Sequence, residues 1–96
     1  MADELRNVIL NYAIEAYGID HQQDLCIEEM SELTKAILKY RRADSDAEKC
    51  VIRENVIEEI ADVQIMLDQM RIIFGDTSSQ EEYKLNRLWA RMEAGE

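Results

Sequence analysis

Two acidic pairs of the same spacing lie thirty residues apart in the chain, and this spacing suits the binding of metal ions. Glu29 and Glu32 form the first pair, and Glu59 and Asp62 form the second. On an α-helix, residues three positions apart lie on the same side, so each pair places two carboxylates next to each other. Carboxylates this close repel one another unless cations lie between them. The two pairs therefore predict a site for divalent metal ions.

The apolar residues beside the two acidic pairs repeat in the same register. They are Met30, Leu33 and Ile37 in the first copy and Ile60, Val63 and Leu67 in the second. Each acidic pair therefore borders the stripe that its helix buries, and antiparallel packing of the two helices would bring the four carboxylates together. The alternative is that they are solvated surface residues, which are common in a chain with 21 acidic residues.

Helix signals dominate the rest of the sequence. The chain has no proline, and its three glycines, Gly18, Gly75 and Gly95, lie where helices are expected to end. Apolar residues at helical spacing predict a first helix over about residues 3–17 and a second over about residues 20–42.

The C-terminal half of the chain predicts two more helices, each opened by a capping box. Ser45 with Glu48 opens the third helix, which ends at Gly75, and Ser79 with Glu82 opens the fourth. The third helix directs a row of apolar side chains inward: Ile52, Val56, Ile60, Val63, Leu67, Met70 and Phe74. We therefore predict a single all-α domain over residues 1–96, built as a small four-helix bundle-like protomer.

Composition and charge limit the partners and the compartment. The formal net charge of −10 argues against nucleic acid or an anionic membrane as a partner. The apolar runs are short, and the N-terminus lacks the pattern of a signal peptide, so we expect a cytoplasmic protein. A chain of 96 residues buries only a modest core, so we also expect a homo-oligomer, either a dimer or a tetramer.

The chemistry of the acidic pairs favours magnesium. Hard divalent cations take oxygen ligands, and magnesium is commonly held by a few carboxylates together with substrate phosphates. A metal ion polarises phosphoryl oxygens and lowers the pKa of bound water, so hydrolysis near neutral pH needs no histidine base. A di-iron bundle is disfavoured because it uses Glu-x-x-His motifs, and the single histidine, His21, lies in none.

The motif Glu28-Glu29-x-x-Glu32, followed after a spacer by Glu59-x-x-Asp62, resembles the signature of a family of all-α nucleoside triphosphate pyrophosphohydrolases, the MazG-like and dimeric dUTPase-like group. The resemblance covers about residues 17–91. It implies a magnesium-dependent enzyme, with manganese as a substitute, that hydrolyses a nucleoside triphosphate, usually a deoxynucleotide or a noncanonical one, to the monophosphate and pyrophosphate. It also implies that all four acids hold the ions, that Glu29 and Glu32 act in catalysis, and that one subunit can complete another's pocket.

Four further residues are candidates for contact with the substrate. Gln22 lies two helical turns before Glu29 and is either placed to reach a sugar or base or is a solvated cap residue. Lys39 is placed either to meet a phosphate or to neutralise its acidic neighbours. Lys84 and Arg87 lie in a basic stripe that is similar to the family's phosphate-binding segment, and the alternative is a charge-balanced exterior.

Three other residues receive structural interpretations. Cys26 lies on the apolar stripe of its helix, which predicts a buried thiol. His21 is interpreted as a surface histidine rather than a catalytic base. Trp89 lies on an apolar face of the last helix, which favours a place in the core or at a subunit interface over stacking on a base.

Two other functions stay open at this point. A phosphoribosyl-ATP pyrophosphohydrolase-like enzyme of histidine synthesis shares the helical fold and the acidic motifs. A metal-stabilised regulatory or binding module would keep the fold and the acidic site without catalysis.

Overall fold

The protein is an all-α chain, as predicted. A computed structural model describes residues 1–95 and contains no strand among them. Its four helices are α1 (Asp3–Tyr17), α2 (Ile19–Arg42), α3 (Asp46–Phe74) and α4 (Ser78–Glu93). The bounds of the first three helices agree with the predicted ones to about one residue.

The residues at the helix ends explain where the chain turns. The Glu48 N–H donates a 3.1 Å hydrogen bond to Ser45 Oγ, so Ser45 is the N-cap residue of α3, as predicted. The Glu48 carboxylate in turn accepts a 3.1 Å hydrogen bond from the N–H of Asp44. Gly18 and Gly75 end α1 and α3 with φ values of 94° and 136°, which favour glycine because it has no Cβ.

The α2 and α3 helices pack antiparallel against each other, and α1 packs against both. A short connection, residues 43–45, joins α2 to α3 and brings the two acidic pairs to the same level of the helix pair. The buried side chains come from all three helices: Leu10, Gln22, Cys26, Ala36, Val63, Met66 and Gln69. The thiol of Cys26 is buried, as predicted, and this burial raises its pKa.

An aspartate on α3 joins α1 to the base of α4. Both Nε and an Nη of Arg6 donate to Asp68, at 3.2 and 2.6 Å, and Arg71 donates to the other oxygen at 2.6 Å. The hydrogen bonds from Arg6 are the main reason that the pKa of the Asp68 carboxyl is lowered. Arg71 also donates a 2.9 Å hydrogen bond to Thr77 Oγ1, so this network orients the chain where α4 begins.

The start of α4 differs from the predicted one. The helix begins at Ser78 with Thr77 as its N-cap residue, so the predicted capping box of Ser79 and Glu82 is wrong. The hydroxyl of Thr77 accepts from Arg71 and is within hydrogen-bond distance of Glu81, at 2.5 Å. These contacts at Thr77 start the helix two residues before the predicted cap, Ser79.

The α4 helix packs against none of the other three helices within the described residues. Its apolar residues, Leu85, Leu88, Trp89 and Met92, are all exposed, and Trp89 is 62% exposed. Trp89 therefore lies outside the core of the protomer, and its place at a subunit interface stays a prediction. The radius of gyration is 16.9 Å, against about 13 Å for a compact domain of this length, because α4 projects from the other helices.

The projection of α4 leaves part of the apolar stripe of α2 and α3 open. Ile60 and Phe74, which were predicted to point inward, are 51% and 74% exposed. Met30 and Ile37 on α2 are also exposed. The reason is that α1 covers only one side of the α2 and α3 pair, and α4 does not fold back to cover the rest.

Candidate metal site

Three of the four predicted carboxylates meet across the interface of α2 and α3. Glu29, Glu59 and Asp62 each offer one oxygen, and these three oxygens lie within 4.8 Å of one another. Glu29 and Glu59 meet because they lie the same number of residues from the two ends of the connection between their helices. Oxygen ligands of a single magnesium ion lie about 3 to 4 Å apart, so small side-chain rotations would close this group around one cation.

The electrostatics of these three carboxylates are unfavourable without a cation. Oxygen Oε2 of Glu59 is buried and has no hydrogen-bond partner among the described residues. Burial raises the pKa of Glu29, and the charges of Asp62 and Glu59 raise it further, followed by those of Glu32 and Glu28. A buried carboxylate oxygen without a donor costs free energy that a bound cation would recover. The donor set therefore fits a hard divalent ion.

Basic side chains do not neutralise the three carboxylates. None of the ion pairs among the described residues involves Glu29, Glu59 or Asp62. Asp68, which lies further along α3, shows the contrasting arrangement because two arginines contact it. The lack of a basic partner at the three clustered carboxylates distinguishes them from an ordinary structural ion pair.

The fourth predicted ligand, Glu32, lies outside the group of three. Its side chain is exposed and its carboxylate is 3.5 Å from Lys35 Nζ. Its charge still contributes to the raised pKa of Glu29, so it lies near enough to belong to the same acidic surface. Its roles as a metal ligand and in catalysis stay predictions.

A cleft of about 280 Å³ adjoins the carboxylates. Glu29 and Asp62 lie on one part of its wall, and the rest is mainly apolar, with Ala13, Leu25, Ile65 and Met66 among the lining residues. Tyr17 and two glutamines, Gln22 and Gln69, add the other polar groups. A mainly apolar cleft with a few polar groups that converge beside an acidic cluster is typical of a site for a small organic ligand.

The structure places Gln22 at the wall of this cleft. Its side chain is 2% exposed and donates a 2.7 Å hydrogen bond from Nε2 to Oε1 of Gln69, which is 3% exposed. The interpretation of Gln22 as a solvated cap residue is therefore wrong, because the side chain is buried between α2 and α3. Contact with a substrate stays a prediction for this residue.

Sequence reasoning missed Gln69, although the sequence contained a signal for it. Gln22 lies seven residues before Glu29, and Gln69 lies seven residues after Asp62. Two helical turns return to nearly the same side of a helix, and antiparallel packing reverses the direction of one helix relative to the other. These equal offsets place the two glutamines opposite each other on the same side of the acidic cluster.

The three basic candidates lie away from the cleft in the protomer. Lys39 is exposed near the C-terminal end of α2 and does not line the cleft. Lys84 and Arg87 are exposed on α4, where Arg87 lies 5.8 Å from the centre of the Tyr83 ring. Because α4 does not pack on α2 or α3, contact of Lys84 and Arg87 with the carboxylates of the same protomer is not part of this fold, and their supply by a second subunit stays a prediction. The roles of all three in binding stay predictions.

Comparison of the chain with family models, with curated proteins and with solved structures finds no match. Among the described residues, no helix has both the length and the apolar character that crossing a membrane requires.

Proposed function

We propose that the protein is a magnesium-dependent, cytoplasmic pyrophosphohydrolase that cleaves a nucleoside or deoxynucleoside triphosphate to the monophosphate and pyrophosphate. The observation that carries this proposal is the group of Glu29, Glu59 and Asp62, in which a buried oxygen of Glu59 has no hydrogen-bond partner. The doubled acidic motif of the sequence supports the same conclusion, since it resembles that of known pyrophosphohydrolases.

The three clustered carboxylates would hold the metal ion, and Glu32 beside them is the candidate for a further ligand. Magnesium, when bound, neutralises phosphate charge, polarises the phosphoryl oxygens and makes bound water more acidic. Glu32 is exposed at the edge of the group and has the chemistry to accept a proton from water. The pKa of Glu29 is raised because its charged form is disfavoured by burial and by the neighbouring carboxylates. A bound cation would offset both effects, so Glu29 is better suited to be a metal ligand than a free carboxylate base.

The position of the cleft supports cleavage next to the nucleoside. The cleft and the carboxylates share Glu29 and Asp62, so an organic group in the cleft lies directly beside the acidic cluster. In a nucleoside triphosphate, the phosphate nearest the organic group is the α-phosphate. A nucleoside held in the cleft would therefore bring its α-phosphate to the carboxylates, and attack there releases pyrophosphate.

The test is an assay of pyrophosphate release with magnesium across all ribonucleoside and deoxynucleoside triphosphates, run in water enriched in oxygen-18. We expect pyrophosphate from at least one substrate, with the heavy oxygen in the monophosphate. Release of orthophosphate and a diphosphate would place the attack at the far end of the chain of phosphates and contradict the proposal. Magnesium-dependent stability with no turnover on any substrate would instead favour the non-catalytic binding module.

A further inference from the structure

A chain of hydrogen bonds fixes the orientation of the Gln22 side-chain amide. Oxygen Oε1 of Gln22 lies 2.7 Å from Nδ1 of His21, and Nε2 of Gln22 donates to Oε1 of Gln69 at 2.7 Å. Nε2 of Gln69 in turn lies 3.5 Å from the sulfur of Met66, a weak acceptor. Each group is a donor to the next, so the chain has one direction, from His21 to Met66.

This direction determines the proton position on His21. With its oxygen toward His21, the Gln22 amide accepts from Nδ1, so in this arrangement Nδ1 carries a proton. If the Gln22 amide turned over, its oxygen would face the oxygen of Gln69, and its NH₂ group would face Nδ1 of His21, which could accept only in the other tautomer. The contact between the two oxygens would be repulsive, and Gln22 and Gln69 are both buried where no bulk water compensates.

The fixed amide keeps unused hydrogen-bonding capacity. A glutamine amide has two N–H donors and two acceptor lone pairs, and the contacts to His21 and Gln69 use one of each. Gln22 lines the cleft beside Glu29 and Asp62. One N–H and one lone pair of Gln22 are therefore not used by His21 or Gln69, and their relative positions depend on which way the amide points.

We propose that His21 and Gln69 are positioning residues that hold the Gln22 amide in one orientation, so that the cleft distinguishes ligands by the order of donors and acceptors on their edge. This inference rests on the proposed function, in which the ligand is the base of a nucleoside triphosphate. A fixed amide favours one of two bases that differ by an amino group in place of a carbonyl oxygen. An amide that turns over freely accepts both.

His21 offers a way to test this inference without disturbing the core. Its ring is exposed and lies 5.6 Å from the Tyr17 ring, measured between centres, so its replacement removes a surface side chain. His21→Leu removes the donor to Gln22. His21→Asn is the matched control because its side-chain amide can present an N–H close to the position of Nδ1. The rise in melting temperature with magnesium serves as the fold control and should be the same in both variants.

The experiment measures kcat/KM for two substrate pairs, dUTP with dCTP and dITP with dATP, whose members differ by a carbonyl oxygen and an amino group. The wild-type protein should prefer one member of at least one pair. His21→Leu should reduce that preference by about tenfold, which is the effect of one hydrogen bond to a fixed partner, and His21→Asn should retain it. Nitrogen-15 NMR of the wild-type protein, at a pH high enough to deprotonate free imidazole, should show the proton of the His21 ring on Nδ1.

An unchanged preference in His21→Leu, or a neutral His21 with its proton on Nε2, would overturn the inference while leaving the pyrophosphohydrolase intact. Equal rates on both members of each pair in the wild-type protein would overturn it as well. Absence of pyrophosphate release from every substrate would instead remove the proposed function, and the inference with it.

Discussion

Glu29 on α2 and Glu59 on α3 hold carboxylate oxygens within 4.8 Å of each other, and neither is ion-paired with a basic side chain among the described residues. Asp68, on the same helix as Glu59, is instead contacted by Arg6 and Arg71. The protein thus pairs one partly buried acid of α3 with two arginines and leaves the acidic cluster on the same helix without a basic partner among the described residues. Such an arrangement destabilises the metal-free fold, so divalent cations should have large effects on its stability.

The first prediction concerns thermal stability. Millimolar magnesium or manganese should raise the melting temperature because the cation binds the folded cluster and not the unfolded chain. Asp62→Asn should remove most of this increment, although it also removes a repulsive charge and so should raise the stability of the metal-free protein. The control is Asp24→Asn, an exposed acid on α2 outside the cluster, which should keep the full increment. A wild-type melting temperature that is indifferent to both ions would argue against the site.

The second prediction concerns the pH dependence of stability without metal. The pKa of Glu29 is raised in the folded protein, so the folded state binds a proton more tightly than the unfolded chain does. The metal-free protein should therefore gain stability as pH falls from neutral through the raised pKa of Glu29 toward the ordinary glutamate value of about 4.3. Urea unfolding at a series of pH values measures this effect. Glu29→Gln should abolish it, and saturating magnesium should reverse its sign because protons then compete with the ion.

The third prediction concerns the network around Asp68, whose lowered pKa has the opposite consequence. Its stabilising contribution is present above the ordinary aspartate pKa of about 3.9 and is lost as pH falls through the lowered value. Asp68→Asn should cost about 1 to 3 kcal/mol of unfolding free energy at neutral pH because it weakens charged hydrogen bonds to two arginines. Urea unfolding provides the measurement, and the magnesium increment should be unchanged. An unchanged free energy of unfolding in Asp68→Asn would show that the network does not hold α1 against α3.

The fourth prediction concerns α4, whose apolar face has no partner in the protomer. We expect light scattering to give the mass of a dimer or tetramer, and we expect Trp89 fluorescence to shift toward the red when the assembly dissociates on dilution. Trp89→Ser should weaken the assembly, whereas Val51→Ser, which alters another exposed apolar residue, should not.

If the assembly brings α4 of one subunit to the carboxylates of another, the basic residues of α4 should contact the triphosphate. Lys84→Ala should then raise KM severalfold, whereas Arg53→Ala on the exposed surface of α3 should not. A monomeric, fully active protein with a normal Lys84→Ala variant would contradict this part of the account and leave the acidic cluster untouched.

Residue spacing was sufficient to predict much of the fold and the centre of the site. The offset of three positions in each acidic pair, together with the short turn after Arg42, brings Glu29 to Glu59 and Asp62, as the structure shows. Spacing did not determine the position of the Glu32 carboxylate, because a side chain on the edge of a helix can turn either to the cluster or to a neighbour such as Lys35.

Features that depend on distant parts of the chain were harder to predict. The partner of Asp68 is Arg6, 62 residues earlier, and no local pattern connects them. Trp89 was expected in a core or an interface, and the choice depends on the direction of the chain between Gly75 and Ser78. Helical periodicity determines which side of a helix is apolar, but it does not determine which surface covers that side.

The most direct test of the account compares Glu59→Gln with Glu58→Gln in the pyrophosphate-release assay at saturating magnesium. Glu59 contributes an oxygen to the cluster, whereas Glu58 is its exposed neighbour on the same helix, so the pair controls for charge and for helix position. We expect Glu59→Gln to lower kcat/KM by about a hundredfold or more, as the loss of a metal ligand does, and Glu58→Gln to remain close to wild type. Equal activity in the two variants would contradict the claim that this cluster is the catalytic metal site.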